Sequence, residues 1–148
     1  MTHVTSKTTI NASADAIWQV ISDFGAACQY LVGVVNCTVE GEGVGARCTL
    51  TSADGSMIVE CLETLDETAH RLSYSLLTDT PFRNCLTTML VHDLGQGQAE
   101  VEWSATFEAD GLPADEARDM LEAALAANCL ALKQFMEAGQ EITCPLGG

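Results

Sequence analysis

The segment Gly43–Asp66, GVGARCTLTSADGSMIVECLETLD, sets a single arginine, Arg47, and a glutamate, Glu60, among Leu50, Ile58, Val59, Cys61 and Leu62. Enclosed in a pocket, such a pair does chemistry. A guanidinium orients an oxygen anion or a carbonyl. A desolvated carboxyl holds its proton to higher pH and passes it on. Together they suit proton abstraction and return, as in isomerisation, dehydration or aldol cyclisation, and equally the binding of a polar head group. On a solvated face the same two residues make an ion pair worth under ~1 kcal/mol. Which of the two holds depends on the elements that carry them.

Asp54-Gly55 is the strongest short hairpin signal in the chain. A two-residue turn there pairs Thr51 with Ile58, Thr49 with Glu60 and Arg47 with Leu62. Strand alternation then gathers Arg47, Thr49, Thr51, Ile58, Glu60 and Leu62 on one face. A loop one residue longer breaks that face, and Ala53 and Ser56 permit it. The opposite face, with Cys48, Leu50, Val59 and Cys61, reads as the more apolar one. Both arrangements stand at this point.

Around the hairpin the chain reads as strand, helix, several strands and a long helix. Thr5 to Asn11 forms a first strand, and Ser13 caps a helix carrying Ile17, Val20, Ile21 and Phe24 at helical spacing. Ala26 to Leu31 adds a short helical turn. Strands are expected at 34–40, 46–52, 56–65, 71–77, 85–92 and 98–108, each ended by turn residues. In the last of these, Ala99, Val101, Trp103, Ala105 and Phe107 alternate with Glu100, Glu102, Ser104, Thr106 and Glu108, which marks a strand buried on one side. A long helix follows Pro113, with the apolar stripe Ala117, Leu121, Ala124, Leu125, Asn128, Leu132 and Phe135, and Gly139 ends it. Residues 141–148 form a loose tail.

The expected fold is α+β. A curved antiparallel sheet of about seven strands wraps a long C-terminal helix, with one or two short helices after the first strand, as a single domain over residues 1–148. The helix is rich in alanine and aromatic residues are few, so a cavity is expected between sheet and helix. Tyr74 and Trp103 fall on core faces and become candidate lining residues. Asn128 interrupts the helix stripe with an amide that needs a hydrogen-bond partner, either a ligand or a backbone group. His3, His70 and His92 read as terminal, turn and strand-end residues.

The formal charge of −15, with six Lys and Arg against 21 Asp and Glu, repels a phosphate backbone and an anionic membrane surface. Nucleic acid is therefore not an expected partner. No run approaches the ~18 apolar residues of a membrane span, so stable membrane insertion is not expected, and MTHVTSKTTINAS has no apolar leader core. Seven cysteines without a C-x-x-C or a nearby histidine fit neither zinc nor dithiol redox spacing. They read as free thiols in a reducing cytoplasm, with no metal or cofactor.

ADAIWQVISDF (Ala14–Phe24), EGEGVGARCTL (Glu40–Leu50), DGSMIVECLETLDETAHRLSYSL (Asp54–Leu76) and AEVEWSATFE (Ala99–Glu108) together resemble the START/Bet v 1-like (SRPBCC) helix-grip superfamily, in its polyketide cyclase/dehydrase branch. The likeness spans nearly the whole chain. It implies a small apolar or amphipathic ligand held between sheet and C-terminal helix. The hairpin also resembles that of the plant lachrymatory factor synthase branch, which implies Arg47 as anion stabiliser and Glu60 as acid/base. Cys85 stands where that branch carries a pocket tyrosine, and Tyr30 is the aromatic nearest its motif after the first helix. By analogy with ligand-gated members of the superfamily, the 53–56 and 78–84 loops are expected to gate the pocket mouth.

Two functions lead the expectations, ahead of a third in which the exposed sheet binds a basic partner. One is a binding module, monomeric or weakly dimeric, whose ligand touches Tyr30, Ile58, Leu62, Tyr74, Cys85, Trp103 and Asn128. The other is a cyclase, dehydratase or isomerase using Arg47 and Glu60 without metal or redox cofactor.

Overall fold

The structure is a computed structural model that describes residues 1–78 and 80–143, with side chains through residue 138. Seven strands form one antiparallel sheet: β1 (Thr2–Ile10), β2 (Val34–Glu40), β3 (Arg47–Ser52), β4 (Met57–Asp66), β5 (Arg71–Leu76), β6 (Phe82–Gly95) and β7 (Gln98–Ala109). Their order across the sheet is β1-β7-β6-β5-β4-β3-β2. All neighbours from β2 to β7 are joined in sequence, so short turns set most of the pairing. Only β1 pairs with a strand distant in sequence, lying against β7 from Thr2↔Phe107 to Ile10↔Ala99.

The link from β1 to β2, at opposite edges of the sheet, must cross one face of it. That crossing is α1 (Ala14–Ile21) followed by a 3-10 helix (Phe24–Gln29). The Ser13 side chain caps α1 by accepting the Ala16 N–H at 3.1 Å, and Asp15 occupies the first turn. Ile17, Trp18 and Ile21 are buried against the sheet. The 3-10 helix lies on β2, so closely that a Cβ on Gly25 would meet the Val39 Cγ2 at 3.0 Å.

The other cover is α2 (Ala114–Thr143), which packs chiefly on β1 and β7. Ala117, Leu125, Cys129 and Leu132 are its buried residues, while Ala124 is exposed. The helix runs through Gly139 instead of ending there. A helical glycine costs ~1 kcal/mol relative to alanine but does not by itself stop a helix. Glu141–Thr143 of the expected tail belong to α2, and residues 144–148 lie outside the described residues.

The inward face of β7 is Ala99, Val101, Trp103, Ala105 and Phe107, all buried, as the alternation requires. Several rings meet in the interior among the described residues. Phe24 meets Tyr74 at 6.0 Å between centroids, Tyr30 meets Phe135 at 6.3 Å, and Phe82 meets Phe107 edge-on at 5.3 Å.

Candidate functional site

The turn between β3 and β4 determines what the site contains. Ser52 N–H donates to the Ser56 carbonyl, and Gly55 N–H donates to the Ser52 carbonyl, both at 2.9 Å. The loop is thus Ala53-Asp54-Gly55, three residues long, with Gly55 at φ +90°. This is a turn whose last position calls for glycine. The Ser56 hydroxyl and amide both donate to the Asp54 carboxylate, at 2.6 and 2.9 Å, and hold its pKa below the usual carboxylate value.

The extra loop residue slips the ladder by one position. Arg47 pairs with Cys61, Cys48 with Glu60, and Leu50 with Ile58. The shared face expected for Arg47 and Glu60 therefore does not form. Glu60 and Cys48 point inward together, whereas Arg47 is exposed on the opposite face, across from Glu40 of β2. Arg47 cannot stabilise an anion beside Glu60. The apolar face anticipated on β3, Cys48 and Leu50, is buried, but its partners on β4 are Ile58, Glu60 and Leu62 in place of Val59 and Cys61.

Glu60 is only partly exposed and lines a pocket with Ile21, Phe24, Ala27, Tyr30, Leu31, Leu72, Tyr74, Met89 and Trp103. The 3-10 helix and the end of α1 roof it, and β4 to β7 form its floor. No lining residue comes from α2, so the pocket lies between sheet and 3-10 helix and not between sheet and C-terminal helix. Its volume is about 20 Å³, room for one water-sized group. Pockets that hold whole organic ligands are roughly 300–1,000 Å³. Larger hollows lie on the surface, one of about 310 Å³ beside His3, Arg71 and Glu102 and one of about 460 Å³ beside Leu77, Arg83 and Asp110.

The electrostatics follow from enclosure. Among the described residues the Glu60 carboxylate makes no hydrogen bond and no ion pair. Burial alone pushes its pKa from 4.5 up to about 8. Burial first, and the Glu60 charge second, raise the phenols of Tyr30 and Tyr74. The Tyr74 hydroxyl accepts the Trp103 Nε1–H at 3.1 Å, which fixes two walls of the pocket. The thiol of Cys48, directly across from Glu60, is raised by burial and then by the same carboxylate.

Of the residues expected to bind, Tyr30, Tyr74 and Trp103 line this pocket with Glu60. Ile58 and Leu62 share the inward face of β4 without lining it. Cys85 is buried on β6, its thiol 3.9 Å from the Thr87 hydroxyl. Asn128 is not in the pocket; its Oδ1 accepts the Val32 N–H at 3.3 Å and ties α2 to the turn before β2. Phe24, Leu72 and Met89 were missed as lining residues, although Leu72 precedes Tyr74 by two on β5 and Met89 follows Cys85 in the same alternation. The three histidines lie elsewhere. His70 stacks on Trp18 at 5.4 Å, and His92 sits with Glu100 and Glu102 on the outer face, its Nε2 3.3 Å from Glu102. His3 lies beside the outer-face hollow.

None of the curated proteins matches this chain. Solved structures do. The protein XoxI from Bacillus cereus is 26% identical over 94% of this chain and 99% of its own, with a TM-score of 0.85. The aromatase/cyclase ZhuI from Streptomyces sp. R1128 is 20% identical over 95% of both chains at TM-score 0.77, and a START superfamily protein from Mycobacterium smegmatis is 16% identical over 92% of this chain and 97% of its own at 0.80. These last two share the fold: the seven-stranded helix-grip architecture of START proteins. A family model described as polyketide cyclase / dehydrase and lipid transport matches residues 1–137, and the chain belongs to that family.

Proposed function

We propose that this protein binds a small apolar or amphipathic molecule beneath the 3-10 helix, with Glu60 engaging its polar end. The observation that carries this reading is a carboxyl with no protein partner among the described residues, set among aromatic side chains in an interior pocket. Glu60 is partly shielded from water and has no protein partner among the described residues, so a guest that supplies a hydrogen-bond partner there gains by it. The present cavity admits only the guest's head. A longer guest needs a wider pocket than the one present. The six free thiols among the described residues fit a reducing compartment such as the cytoplasm, and the working form is a monomer or weak homodimer.

One observation favours a second reading, an acid–base enzyme of the cyclase, dehydratase or isomerase kind. A carboxyl near 8 populates both protonation states close to neutral pH, where a general acid–base works best. Tyr30 is then the nearer candidate for orienting the substrate, since Arg47 lies on the far face.

The test is binding of an environment-sensitive apolar dye, with native mass spectrometry of the freshly purified protein for a retained guest. Ala27→Phe, which fills the roof side of the pocket, should abolish dye binding while the fold persists. Dye affinity unchanged in that variant would place binding elsewhere and overturn the proposal.

A further inference from the structure

We infer that the head group taken by this pocket is an organic ammonium: Phe24, Tyr30, Tyr74 and Trp103 line it, Glu60 is its one carboxyl, and no basic side chain enters. This rests on the binding reading above and names the ligand class for the same site.

Three features converge. First, aromatic side chains supply electron-rich faces that attract a cation, and desolvation strengthens that attraction. Tyr74 is anchored from two sides, by the Trp103 Nε1–H at 3.1 Å and by the Phe24 ring at 6.0 Å, so these walls are preorganised. Met89 adds a polarisable thioether to the lining. Second, the space of about 20 Å³ matches one water-sized group, which is the size of an –NH3⁺ head. Third, the electrostatics are one-signed. An anionic guest would find no cation in the pocket, on a chain whose formal charge is −15, and would hold Glu60 in its neutral form. A cation is steered toward the same site.

Proton balance makes the inference measurable. Empty, Glu60 keeps its proton to about pH 8. The groups facing it are Cys48 on β3, Tyr30 after the 3-10 helix, Tyr74 on β5 and Cys85 on β6, all with raised pKa values and so neutral at that pH. An ammonium guest favours the carboxylate. Binding below pH 8 therefore drives the Glu60 proton into the buffer as the ion pair forms, and no covalent bond to carbon changes.

The test compares n-hexylamine, 1-hexanol and hexanoate, three guests of equal chain length, by isothermal titration calorimetry. Hexylamine should bind at least about tenfold more tightly than hexanol, and hexanoate least. Repeating the titration at pH 6.5 in buffers of different ionisation enthalpy should show close to one proton released per hexylamine bound, falling toward none by about pH 9. Glu60→Gln should erase both the preference and the proton release. Hexanol equal to hexylamine, or binding without proton release, overturns the ammonium assignment and leaves the apolar pocket standing. Failure of all three guests to bind overturns the pocket reading as well.

Discussion

Replacing Glu60 with glutamine should change how the protein's stability depends on pH. In the unfolded chain the carboxyl releases its proton near 4.5; in the folded protein it holds it to about 8. Between those values the folded state binds more protons than the unfolded one, so stability falls as pH rises. The stabilisation is complete below about pH 4.5 and gone above about pH 8. At ~1.36 kcal/mol per pH unit, the full loss is on the order of 5 kcal/mol, a ceiling reached only if water stays out of the pocket. That is comparable with the whole stability of many small domains. Glutamine has nearly the same shape and cannot ionise, so Glu60→Gln should lack this slope. Urea denaturation followed by tryptophan fluorescence at each pH from 5 to 9 measures both proteins. The difference between them isolates Glu60, because the lowered carboxylates Asp54 and Glu137 titrate in both. The gap should widen steadily in favour of Glu60→Gln and level off above pH 8. Parallel curves across that range would refute the reasoning and put the Glu60 head in water.

Arg47→Ala should leave guest affinity unchanged and shift unfolding free energy by less than about 0.5 kcal/mol, since Arg47 is exposed on the outer face; a tenfold loss of affinity in a binding titration would restore it to the site. Trp103→Phe should cost about 1–2 kcal/mol in the same denaturation assay, because it removes the Nε1–H donated to Tyr74 and part of a buried ring. Asn128→Ala should cost about 1 kcal/mol and speed hydrogen exchange at Val32, with no direct effect on the pocket lining.

The fold was readable because its signals are local. Strict alternation along Ala99–Phe107, the Ser13 cap before Ile17 and Ile21, and turn residues between strands each specify one element. Part of the candidate site was readable: Tyr30, Tyr74, Trp103 and Glu60 line one pocket. Arg47 was misplaced by a single loop residue. Asp54-Gly55 suits a two-residue and a three-residue hairpin equally, and strand period two turns that slip into opposite faces. The described interior pocket lies under the 3-10 helix, a place that composition does not specify because it counts rings but not where they point. Phe24, Tyr30, Tyr74 and Trp103 line that one pocket of about 20 Å³.

A titration of the Glu60 side-chain carboxyl carbon by NMR in 13C-glutamate-labelled protein, assigned by the signal lost in Glu60→Gln, reads the central claim without an intermediate step. The account predicts a midpoint near 8 for that one resonance. A midpoint close to 4.5, in the ordinary glutamate range, would contradict it.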